Sequence, residues 1–212
     1  MKLIREPYQT QLERWPRLGR HILAQFNDQS IIVYQAYCPE IGHYAAKTGC
    51  FGGPFSLHRM TRVKPSFLWM MCRSHWGTSE DQEVTLAIRL PHSAFDAIIG
   101  QAVHSTFVGG AYGNEAEWAN AVKRSDVRLQ WDPDRDPPGM RLERRAIQLG
   151  LRGETLKRYA REWIIDIEDI SEFVREQREC MRSRPTYGKL ITPREAVYCI
   201  DKPEVAARLK LS

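Results

Sequence analysis

Proline, glycine or an Asn-Asp pair soon stops each apolar stretch in this chain, and that punctuation restricts the fold to short elements. Ser30-Ile-Ile-Val-Tyr-Gln-Ala-Tyr37, a β-branched and aromatic run between Asn27-Asp28 and Pro39, is predicted to be a strand. Residues 83–90, 127–131, 145–150 and 163–167 read as further strands. Between them, helices are predicted from Pro39 to Gly49 and over 91–102, 115–123, 154–160 and 171–182. Pro65 opens another that reaches about Trp76 and stops at Gly77, although so short an apolar run also suits a strand. Thr192-Pro-Arg-Glu195 has capping-box spacing, which predicts a helix start there.

Strand and helix patterns interleave, but without regular βαβ units. No Gly-x-Gly-x-x-Gly follows a strand and no P-loop is present, which argues against Rossmann and P-loop folds. At 212 residues, 42% hydrophobic and 27% charged, the chain is expected to be one α+β domain of short sheets. Residues 1–29 read as an N-terminal arm, 30–182 as the core domain and 183–212 as a C-terminal extension packed on it. A cytoplasmic protein is expected, because there is neither a run of about 18 apolar residues nor an apolar signal region. Cys38, Cys50, Cys72, Cys180 and Cys199 are scattered, with no Cys-x-x-Cys and no histidine pair at zinc-ligand spacing. Free thiols and no metal follow.

The charge is uneven. Residues 1–76 hold ten lysines and arginines against four acids, while the whole chain carries only +5. A localised positive field favours an anionic partner such as a dinucleotide, a nucleic acid or a phosphate group. A solvated basic face is the plainer alternative. Within this third, residues 64–77 read Lys-Pro-Ser-Phe-Leu-Trp-Met-Met-Cys-Arg-Ser-His-Trp-Gly, which mixes core bulk with polar groups. On a helix, Trp69, Arg73 and Trp76 fall on one stripe, and Phe67, Met70 and Met71 face a core. Along the first strand, Ile32, Tyr34 and Ala36 alternate with Val33, Gln35 and Tyr37, so Tyr34 or Gln35 should meet a polar group. Asp132, Asp134 and Asp136 read as part of a proline-rich turn rather than a cation loop. Glu162, in the apolar run 161–165, is either a solvated edge residue or an acid at a cleft rim.

Residues 32–37, 59–77, 127–133, 145–151 and Glu162-Trp-Ile together resemble the family called domain of unknown function 4291, over most of the chain. The order of elements is also similar, more distantly, to the ADP-ribosyltransferase superfamily and its nucleic-acid-modifying toxins. That likeness implies a split mixed or antiparallel sheet and transfer of ADP-ribose from NAD, as substrate, to a nucleic acid or protein. It also implies that Tyr34, Gln35, Lys64, Trp69, Arg73, Ser74 and Trp76 hold the dinucleotide, and that Glu162 is the catalytic carboxylate. The superfamily's first-strand histidine or arginine is absent, with Gln35 in its place. Arg161 precedes Glu162, without the upstream glutamine or glutamate of many members. The competing expectation is a nucleotide- or nucleic-acid-binding module without chemistry.

Overall fold

A computed structural model describes residues 3–182 and 187–212. The first half of the chain forms β1 (Arg5–Pro7), α1 (Tyr8–Leu12), β2 (Leu23–Ala24), β3 (Ser30–Tyr37), α2 (Pro39–Thr48), β4 (Thr61–Val63), α3 (Phe67–Ser74), β5 (Val84–Pro91), α4 (His92–Gln101) and β6 (Val103–His104). The second half forms α5 (Glu115–Arg124), β7 (Val127–Arg135), β8 (Arg141–Leu151), α6 (Gly153–Arg158), a π-helical turn (Tyr159–Trp163), β9 (Asp166–Asp169), α7 (Ser171–Arg182), β10 (Ile191–Pro193), β11 (Ala196–Val197) and α8 (Pro203–Leu209). The fold class is α+β, and no helix of the described residues is long and apolar enough to cross a membrane.

Two sheets carry the fold. One is antiparallel in the order β3-β5-β9; the other runs β4-β8-β7-β6 and is antiparallel except for the parallel pairing of β6 with β7. They are tied by a bridge between Tyr34 and Lys64, whose backbones exchange hydrogen bonds of 2.7 and 3.2 Å. The alternation expected of β3 separates two cores. Ile31 and Val33 join Leu86, Ile88, Leu90 and Phe95 on one face, while Ile32 and Tyr34 join Phe67, Met70, Met71 and Phe173 on the other. Gly42 allows α2 to lie close to β5, since a Cβ there would meet the Val84 side chain at 2.5 Å. Gly49 ends α2 with φ 72°, the left-handed conformation glycine adopts without strain.

The two ends of the chain are built into this body. β1 pairs with β10 and β2 with β11, and Tyr198, Val205 and Leu209 share the first core with Ile22 and Ala24. The expected arm and extension therefore pair with each other; the boundary drawn at residue 183 lies outside the described residues.

Four expectations about elements need correction. The helix expected over 65–76 is confined to Phe67–Ser74, because His75 and Trp76 turn left-handed with φ 47° and 57°. The strand expected over 163–167 is displaced: the chain holds a π-helical turn through Trp163 and pairs only from Asp166. β7 does not stop at Trp131 but runs through a bulge to Arg135, so the turn is limited to residues near Asp136–Met140. Thr192-Pro-Arg-Glu195 starts no helix. The Thr192 hydroxyl accepts from Gln11 Nε2 at 2.8 Å, and Glu195 Oε1 accepts from the Phe67 N–H at 2.6 Å, so both capping groups are taken by distant partners.

Candidate functional site

Period-two alternation on β7 and β8 sends Leu129, Ile147 and Leu149 into the first core. Gln130, Asp132 and Gln148, at the intervening positions, line a hollow of about 320 Å³ with Arg62, Trp69 and Arg73. A second hollow of about 320 Å³ adjoins it, sharing Arg62, Arg73 and Gln148 and adding Gln35, Arg59 and Lys64. Trp69 and Arg73, four apart on α3, do lie on one stripe as expected. The result is a polar cleft where β3, β4, α3, β7 and β8 meet, of the size that small ligands occupy.

Its charge is mostly positive. Among the described residues no carboxylate comes within 4.0 Å of the charged ends of Arg59, Arg62, Lys64 or Arg73. Lys64 is only 5% exposed. Burial, then the charges of Arg73 and Arg62, push its ammonium down to about 7, against the opposing pull of Asp132. Burial raises the Asp132 carboxyl above its ordinary value, while a hydrogen bond from Gln130 and the charges of Lys64, Arg73 and Arg135 act the other way.

Three polar atoms around the first hollow have no partner among the described residues. Gln148 donates to Gln130 at 3.3 Å, and Gln130 donates to Asp132 Oδ1 at 3.0 Å. Gln148 Oε1 and Asp132 Oδ2, at the ends of that relay, and Trp69 Nε1 beside it are buried without a hydrogen bond among the described residues. A buried polar group left unmatched costs about 1–3 kcal/mol, so water or a ligand seated in this hollow would recover that cost for all three.

At the other end of the cleft the polar groups are matched. Gln35 Nε2 donates to the Tyr37 hydroxyl at 2.7 Å and to Thr61 Oγ1 at 2.8 Å, and Gln35 Oε1 accepts from the Tyr159 hydroxyl at 2.6 Å. Tyr159 reaches this position from the first residue of the π-helical turn, with its ring stacked on Phe51 at 5.9 Å. Tyr159→Phe keeps the stack but removes a buried donor. It should cost about 1–3 kcal/mol in urea unfolding; an unchanged midpoint would mean Gln35 finds another donor.

The residues expected at the site divide. Gln35, Lys64, Trp69 and Arg73 line the cleft. Tyr34 is buried in the second core, edge-on to Phe67 at 5.6 Å. Ser74 is spent on its own helix end, donating to the Met70 carbonyl at 3.1 Å and accepting from the Gly77 N–H at 3.2 Å. The left-handed turn after Ser74 carries Trp76 off the stripe, where its indole donates to the Pro137 carbonyl at 3.1 Å and packs with Phe67. Glu162 sits on the π-helical turn with its side chain 62% exposed, 3.4 Å from Arg158, and does not line the cleft. Sequence reasoning missed Arg59, Arg62, Gln130, Asp132 and Gln148. The alternation Leu129-Gln130-Trp131-Asp132 and the excess charge of the first third were the signals that could have found them.

No curated protein matches the chain. The profile of the family described as Domain of unknown function (DUF4291) matches residues 21–198, which spans both sheets and every residue lining the cleft, and the chain belongs to that family.

Proposed function

We infer that the cleft binds a phosphate-bearing small ligand of the nucleotide or dinucleotide class. The observation that carries this reading is the union of Arg62, Lys64 and Arg73, free of ion pairs among the described residues, with three partnerless polar atoms beside them. Arginines offer forked donors matched to phosphate oxygens. NAD is the dinucleotide to which the superfamily resemblance points, with ADP-ribosyl transfer to nucleic acid or protein as the reaction. In that form, Asp132 replaces Glu162 as the carboxylate that would face developing positive charge on the ribose. A strand-binding surface has less support. Trp69 and Trp76 are each 6% exposed, so neither offers an open face for successive stacked bases.

Titration with pyrophosphate, ADP and NAD at low salt should raise the melting temperature in proportion to occupancy. Arg73 is exposed, so Arg73→Ala should leave the unliganded melting temperature nearly unchanged. Loss of charge-assisted bonds worth about 1.5–3 kcal/mol should weaken binding roughly 10- to 150-fold. No shift with any of the three ligands would end the reading. Labelled NAD and cell extract then test transfer, with Asp132→Asn and Glu162→Ala compared side by side.

A further inference from the structure

Lys64 is the one fully buried lysine among the described residues: Lys47, Lys123, Lys157, Lys189 and Lys202 are exposed and Lys210 is half-buried. Arg62 and Arg73 already supply permanent charge for a phosphate, in a geometry better suited to it than an ammonium. A lysine in the same cleft adds a different capability, the lone pair of a neutral amine. We propose that Lys64 is the nucleophile of the cleft, and that its Nζ condenses with the free C1 aldehyde of a sugar phosphate, such as a ring-opened ribose carried by a nucleotide, to give an imine. The inference rests on the reading of the cleft as a phosphate site.

Burial, Arg73 from α3 and Arg62 from β4 favour the neutral amine, and Asp132 from β7 opposes them, leaving the group to titrate at about 7. Near neutral pH about half of Lys64 then carries a lone pair, against roughly one in 2,500 of an ordinary lysine. Trp69 Nε1, Asp132 Oδ2 and Gln148 Oε1 offer one donor and two acceptors to sugar hydroxyls. In the reaction, Nζ attacks the carbonyl carbon while a proton passes from nitrogen to oxygen, giving a carbinolamine. The second nitrogen proton then passes through the Asp132 carboxylate to the hydroxyl, which leaves as water. One C=N bond replaces one C=O bond, one water is released, and nothing is oxidised or reduced.

The test is reductive trapping of the intact protein with pyridoxal 5′-phosphate, an aldehyde that carries a phosphate, and in parallel with ribose 5-phosphate. Each is reduced with borohydride near pH 7 and mapped by peptide mass spectrometry. Lys64 should carry at least 10-fold more label than any other lysine at substoichiometric reagent, and ADP should compete. Pyridoxal, which lacks the phosphate, should label Lys64 at least 10-fold less. Label spread over the exposed lysines with Lys64 unmodified overturns the nucleophile, even where the rise in melting temperature with ADP shows the phosphate site intact. Equal labelling of Lys64 by pyridoxal and its phosphate overturns the phosphorylated ligand and leaves only a reactive amine. Lys64→Arg should lose the trapped adduct; if it fails to fold, the map of the natural protein decides alone.

Discussion

Arg144→Ala should destabilise the protein by about 3–5 kcal/mol, the cost of breaking a buried ion pair from one side. Arg144 and Asp134 are 4% and 2% exposed and meet at 2.6 Å. The same guanidinium donates to the Pro16 carbonyl at 2.7 Å and lies 5.3 Å from the Trp15 ring centroid. Removing it strands the Asp134 carboxylate away from water and loosens β7, β8 and the N-terminal segment together. For a chain of this length the loss amounts to roughly 6–20 °C in melting temperature. Arg144→Met combined with Asp134→Leu should recover part of it, because the double variant leaves no orphaned charge. A single variant within about 1 kcal/mol of the natural protein would show that the pair is solvated in solution.

That pair also explains why β7 was legible only in part. Asp132-Pro-Asp-Arg-Asp-Pro-Pro-Gly has the composition of a turn, and local chemistry alone stops the strand at Trp131. What extends it is non-local: Asp134 is held by an arginine ten residues away on β8, across a bulge. Thr192 and Glu195 fail as a capping box for the same reason, since partners far along the chain satisfy them first. By contrast β3, α2, β5 and α5 announce themselves through alternation, a proline start or a glycine stop, and they form close to where those signals fall.

The cleft was legible where it depends on spacing within one element. Trp69 and Arg73 share a stripe because four residues separate them on a helix, and Gln35 turns from the second core because strands alternate. Trp76 and Glu162 depend instead on how elements end. Two left-handed residues carry Trp76 into the core, and a π-helical turn replaces the strand that would have held Glu162 at a rim. Neither ending has a sequence signature of its own here. The character of Lys64 lies further still from the sequence, because its burial and its arginine neighbours arise from β4, α3 and β7 meeting in space.

Glu195 should make the fold less stable as pH rises from about 5 to 8, the reverse of the usual behaviour of a paired carboxylate. It is buried, and burial first, then Asp134, raises its carboxyl to about 8, against the Phe67 N–H and Arg144. Its ordinary value is 4.5, so between the two values the folded protein holds a proton that the unfolded chain releases. This contribution is complete below about 4.5 and is lost as pH climbs through about 8. At a maximum of about 1.4 kcal/mol per pH unit, the loss across the window reaches a few kcal/mol. Lys64 acts oppositely above about 7, where its depressed value makes stability rise with pH. The total curve therefore mixes the two, and the difference between natural protein and Glu195→Gln separates them. The amide keeps an oxygen to accept the Phe67 N–H but does not titrate, so α3 stays anchored at every pH. Urea midpoints should give Glu195→Gln equal or lower stability at pH 5 and higher stability at pH 8. A difference that stays flat over that range would place the titration of Glu195 near its ordinary value. The carboxylate would then be held ionised by the Phe67 N–H and Arg144, with α3 anchored by a charged cap.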